Sequence, residues 1–97
     1  MSVTRAELEG AVEVLNNRLG LPTDGQSLGS IYTYGAYGGW QLMQIAPRGS
    51  GQVTHGFVSK PALYAKTWDI IKGVDLARRV RVRPEDMINE RNPEEVN

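Results

Sequence analysis

The sequence predicts a small α+β domain: a two-layer sandwich with two helices on one face of a three-stranded antiparallel meander. Three observations predict it. A capped amphipathic stretch opens the chain, three β-rich runs follow with only turn formers between them, and a second capped apolar stretch comes after. Helix, strand, strand, strand, helix is the order that results, over residues 1–75, with a charged and flexible tail expected at 76–97.

The first helix is expected from Arg5 to Leu19. Thr4 stands at its N-cap with Glu7 three residues on, the spacing of a capping box, and Val3 with Leu8 has the spacing of a hydrophobic staple. Leu8, Ala11, Val12, Leu15 and Leu19 then recur on one helical face, while Glu9, Glu13, Asn16, Asn17 and Arg18 read as its polar remainder. Gly20 followed by Leu21 and Pro22 is a stop signal, since glycine takes the left-handed C′ conformation and proline cannot continue a helix. Residues 22–29 are turn formers and read as a loop.

Ser30–Tyr34 is β-branched and aromatic and predicts the first strand. Gly35–Gly39 makes a glycine-rich connection, Trp40–Ala46 the second strand, Pro47–Gly51 a turn, and Gln52–Val58 the third strand. Ser59 caps the second helix, with Pro61 in its first turn where a missing N–H costs nothing. Leu63, Thr67 and Ile70 beside Tyr64, Trp68 and Ile71 form its apolar face, and Gly73 is the expected C-cap. Beyond it, Arg-Val-Arg-Val-Arg at 79–83 reads either as an edge strand or as a solvated extended segment. Pro84–Arg91 has the pattern of a short helix, and from Pro93 onward the chain is expected to be disordered.

The chain has 97 residues, 40% of them apolar, and no cysteine, which excludes thiol nucleophiles, disulfides and Cys-ligated zinc. No apolar run approaches the roughly 18 to 20 residues of a membrane span, and the N-terminus lacks the pattern of a signal peptide, so a cytoplasmic protein is expected. Eleven basic residues balance eleven acidic ones. Proteins that neutralise phosphates usually carry a basic excess.

No catalytic constellation, metal set or cofactor loop is expected. His55 is the only histidine, and beside Val53 and Phe57 on an alternating strand it reads as structural. The serines fall at turns or caps, and Glu9 with Glu13 reads as a solvated helix face. The glycines lie between strands rather than between a strand and a helix, unlike a phosphate loop.

Two features carry a functional reading. Tyr32, Tyr34, Tyr37 and Trp40 gather around the first hairpin and are the candidate partner-binding residues, with a protein as the expected partner. Alternation in the first strand sets Tyr32 and Tyr34 opposite Ile31 and Thr33, and either pair can be the buried one. The alternative is nucleic-acid binding through Lys60, Lys66, Arg78, Arg79, Arg81 and Arg83.

Leu15-Asn16-Asn17-Arg18-Leu19, Ala36-Tyr37-Gly38-Gly39-Trp40, Ser59-Lys60, Leu63-Tyr64 and Ile71–Gly73 resemble a group of small phage and prophage proteins of unknown function. That resemblance covers most of residues 10–74 and implies the cytoplasm of a bacterial host and a phage or mobile-element origin. The element order is also similar to that of double-stranded-RNA-binding domains, with Ser59-Lys60 and Lys66 in the basic helix, although the lysine cluster of that family is missing. This second resemblance implies duplex-RNA binding.

Overall fold

A computed structural model describes residues 2–80 of the chain. Helix α1 spans Arg5–Leu19, strands β1, β2 and β3 span Ile31–Ala36, Gly39–Ala46 and Gly49–Gln52, and helix α2 spans Lys60–Arg79. The sheet order is β1-β2-β3, both pairings are antiparallel, and the helices pack together against the sheet as a compact α+β domain.

Local chemistry sets the helix starts. The Thr4 hydroxyl accepts from the Glu7 N–H at 3.1 Å while the Glu7 carboxylate accepts from the Thr4 N–H at 2.9 Å. Two of the N–H groups that a helix start leaves open are thereby satisfied. Gly20 closes α1 at φ +72°, as its sequence position requires. In α2 the Ser59 hydroxyl accepts from the Ala62 N–H at 3.3 Å. The core joins Val3, Leu8, Val12 and Leu15 of the first helix and its lead-in to Ile31, Leu42, Leu63 and Ile71. Burying one such side chain stabilises the fold by about 1.5 to 3 kcal/mol.

Three expectations about elements are corrected. The second helix does not end at Gly73 but runs six residues further to Arg79, so Leu76–Arg79 are helical rather than part of a flexible tail. Gly73 stays helical at a cost of about 1 kcal/mol. Contacts beyond it offset that cost: Asp75 accepts from Arg18 at 2.9 Å, and Arg78 donates to the Arg18 carbonyl. The readings made for 81–97 lie outside the described residues.

The third strand is not Gln52–Val58 but Gly49–Gln52, and the turn before it is only Pro47–Arg48. Continuing the register of Met43 with Gln52 would set Trp40 opposite His55. Trp40 instead pairs with Val58, three residues later. The excess is looped out, with the Thr54 hydroxyl accepting the Leu42 N–H at 3.0 Å in place of a backbone carbonyl. Alternation from Val53 to Phe57 therefore does not hold, and His55 is exposed in this loop rather than structural.

Finally, the first strand is longer than Ser30–Tyr34, because the hairpin needs only Tyr37 and Gly38 for its turn. Their φ values are +53° and +75°, the two-residue turn whose twist matches the flanking strands.

Candidate partner-binding face

The structure decides which face of β1 is buried. Ile31 is 5% exposed and points to the helices, and with it go Thr33, Leu42 and Trp40 by register. Tyr32 and Tyr34 lie on the opposite face, which neither of the described helices covers. Met43 and Gln41 are their cross-strand neighbours there.

On this open face the Tyr32 hydroxyl reaches over β2 and donates to Ser50 Oγ at 2.7 Å, which ties a half-buried ring to β3. Tyr34 is 45% exposed, and its ring centre lies 6.0 Å from that of Phe57. Tyr37, at the hairpin tip, meets the same Phe57 ring edge-on at 5.1 Å. The looped-out segment after β3 brings Phe57 here. Its backbone lies so close to Gly39 that a β-carbon at Gly39 would sit 2.9 Å from Phe57 Cβ and 3.0 Å from its carbonyl carbon. The β-branched and aromatic pattern points to Tyr32 and Tyr34 but not to Phe57, which it places in a regular third strand away from these rings.

Tyr37 is the unusual member. It is the only residue other than glycine at positive φ among those described, and it is 90% exposed. A left-handed conformation costs an ordinary L-residue about 1 to 2 kcal/mol, and Asn or Gly relieves that cost at this turn position. One aromatic edge contact returns about 0.5 to 1.5 kcal/mol. The fold thus gains little from placing a large apolar ring in solvent on a strained backbone. Such a residue points to function rather than stability.

Trp40 does not join the cluster. It sits on the helix side, half-buried against the core, with the Arg5 guanidinium 5.5 Å from its ring centre. Of the four aromatics expected to bind a partner, three share the open face and the fourth packs inward.

Among the described residues, the basic side chains of the alternative reading do not converge. Lys60 and Arg79 are the first and last residues of a 20-residue helix, roughly 28 Å apart at 1.5 Å per residue. Lys66 lies between them, beside Asp69 and His55 at a shallow surface depression. Arg78 is engaged with the Arg18 carbonyl. Arg81 and Arg83 lie outside the described residues.

A cleft of about 490 Å³ opens between α1 and the free edge of β1, lined among others by Arg5, Glu9, Glu13, Asn16, Asp24 and Thr33. Glu9 is paired with Arg5 at 2.9 Å. Hydrogen bonds from the Ser27 hydroxyl and from the backbone N–H groups of Ser27 and Gln26 hold the Asp24 carboxyl down from 3.8 to about 2. Asn16, expected on the polar face of α1, is in fact 1% exposed. It donates to the Ile31 carbonyl and accepts the Ile31 N–H, both at 2.9 Å. The described residues hold no cluster of three or more His, Asp or Glu suited to a metal ion, and none of their helices is long and apolar enough to cross a membrane. Comparison with protein-family models, curated proteins and solved structures finds no match to this chain.

Proposed function

We propose that the protein is a non-catalytic binding module that takes a protein partner on the open aromatic face formed by Tyr34, Tyr37 and Phe57, with Tyr32 at its border. The observation that carries this reading is Tyr37, an almost fully exposed ring held at φ +53° where the turn alone would favour Asn. Aromatic rings give large contact area for little lost side-chain freedom, which is why they anchor protein interfaces. The sequence resemblance to small phage and prophage proteins supports a role as a phage or mobile-element accessory protein acting on a macromolecule of the host or virus.

The discriminating variant is Tyr37→Asn. It removes the ring and relieves the turn, so stability rises by up to about 1 kcal/mol while partner capture is lost. Affinity capture of the tagged full chain from bacterial lysate, with and without nuclease, reads the second effect. A retained protein that survives nuclease and disappears with Tyr37→Asn and with Tyr34→Ala supports the reading. Capture unchanged by both substitutions refutes this surface. Retention abolished by nuclease moves the function to nucleic acid.

A further inference from the structure

The hydrogen-bonding edge of β1 borders the aromatic face and meets it at Tyr34. Asn16 occupies the Ile31 N–H and C=O from the side away from β2, whereas the Ser30 carbonyl accepts from the Ile45 N–H of β2. Backbone direction alternates along a strand. Thr33 and Gly35 therefore present their N–H and C=O groups outward, and among the described residues nothing pairs with them.

Natural edge strands are usually blunted by lysine, proline, a bulge, an inward charge, or a helix or loop laid over them. Ile31-Tyr32-Thr33-Tyr34-Gly35-Ala36 carries no lysine, proline or charge, and α1 caps its edge at Ile31 through Asn16 while a cleft stays open beside Thr33. The other edge differs, since β3 is four residues long, half glycine, and followed by the looped-out segment.

We infer that β1 pairs antiparallel with β1 of a second copy, making one continuous six-stranded sheet. The free groups select the register. With Ile31 already satisfied by Asn16, the outward pairs left are Thr33 with the partner's Gly35 and Gly35 with the partner's Thr33. Tyr34 then stands opposite the partner's Tyr34 on the twofold axis, in a non-hydrogen-bonded pair where side chains approach most closely. An interface of this kind uses the same patch on both copies.

Charge along the cleft suits that arrangement. Arg5, neutralised by Glu9 at 2.9 Å, lies over Trp40 at the Gly35 end of the strand, whereas the carboxylates Glu13 and Asp24 lie at the Ile31 end, near Asn16 and near the loop residue Gly25 that bonds Ser30. Antiparallel pairing turns one copy end for end, setting the neutral Arg5–Glu9 pair of each, rather than its free carboxylates, towards the carboxylate end of the other. A parallel pairing would set like charges together.

Sedimentation equilibrium of the full chain over micromolar to millimolar concentrations is the first test, with a shift from one chain mass to two expected. Thr33→Pro removes an outward N–H that β1–β2 pairing does not use. It should leave the circular dichroism unchanged and hold the protein at one chain mass. Because the chain has no cysteine, Tyr34→Cys supplies a single thiol that should oxidise to a linked dimer. Thr33→Cys, displaced from the axis, should not link within the geometric reach of a disulfide. The crosslinking pair carries the test even if Thr33→Pro fails to fold. A wild-type chain that stays at one mass throughout, or Thr33→Cys linking as fast as Tyr34→Cys, overturns the proposal. Tyr37→Asn should leave the mass unchanged, which separates this edge from the binding face.

Discussion

Asn16 offers the sharpest test of how this sequence makes this fold. Its carboxamide closes a two-bond ring on the Ile31 backbone, with both distances 2.9 Å and both residues no more than 5% exposed. Asn16→Ala removes donor and acceptor together and leaves a buried N–H and a buried C=O without partners. Each unsatisfied group costs about 1 to 3 kcal/mol, about 2 to 6 kcal/mol for the pair, and the lower part of that range, roughly 3 kcal/mol, is expected because both residues border an open cleft. Against a typical total of about 5 to 15 kcal/mol that is a large fraction. For a domain this size it lowers Tm by roughly 12 to 24 °C. Urea denaturation followed by circular dichroism reads it directly, as a lower midpoint at unchanged slope.

Asn16→Asp adds a sign. Its carboxylate still accepts the Ile31 N–H but faces the Ile31 carbonyl without a proton to donate. Burial beside that carbonyl raises the folded-state pKa above the unfolded one. The folded state then binds more protons between the two values, so stability increases as pH falls through the folded pKa, reaches its full value below the unfolded pKa, and is lost again as pH rises. A loss below about 1 kcal/mol for Asn16→Ala, or an Asn16→Asp deficit that does not shrink with acidification relative to wild type, would refute the reasoning.

Two further predictions concern glycine and the Asp24 loop. Gly39→Ala should destabilise by about 1 to 3 kcal/mol, because its β-carbon meets the Phe57 and Val58 backbone within 3.1 Å. Gly10→Ala in the exposed middle of α1, with nothing within 4 Å of its β-carbon, should stabilise by about 1 kcal/mol. Urea midpoints that move the same way for both would contradict this packing. Asp24, lowered from 3.8 to about 2 chiefly by the Ser27 hydroxyl, contributes stability above its unfolded pKa and loses it as pH falls through about 2. The difference in urea midpoint between wild type and Asp24→Asn should therefore narrow across that window, and an NMR titration of the Asp24 carboxyl should report the depressed value.

The order of elements was legible because its signals are local. Thr4 with Glu7, Gly20 with Pro22, and Ser59 with Pro61 set helix ends through groups within a few residues of one another, and α1 and the start of α2 match their expected positions. Chemistry between distant residues was not legible. Gly73 looked like a helix stop because nothing near it in sequence announces Arg18, whose side chain holds Asp75 and whose carbonyl holds Arg78. Phe57 looked like a strand residue because its true neighbours, Tyr34, Tyr37 and Gly39, lie at least 18 residues earlier in the chain.

By itself the sequence determined that Tyr32, Tyr34 and Tyr37 gather at the first hairpin, since β-branched and aromatic residues alternate there whatever covers them, but not that Phe57 joins them or that Trp40 does not. Only the tertiary structure decided that Ile31 faces the helices, leaving Tyr32 and Tyr34 outside, that Trp40 turns inward, and that Asn16 guards one end of the free edge. The physical reason is that a period of two sorts side chains onto two faces without saying which face is covered. In this protein the helices make that choice by packing Leu8, Leu15 and Leu63 against Ile31 and Leu42, and Asn16 locks it by bonding the Ile31 backbone fifteen residues away.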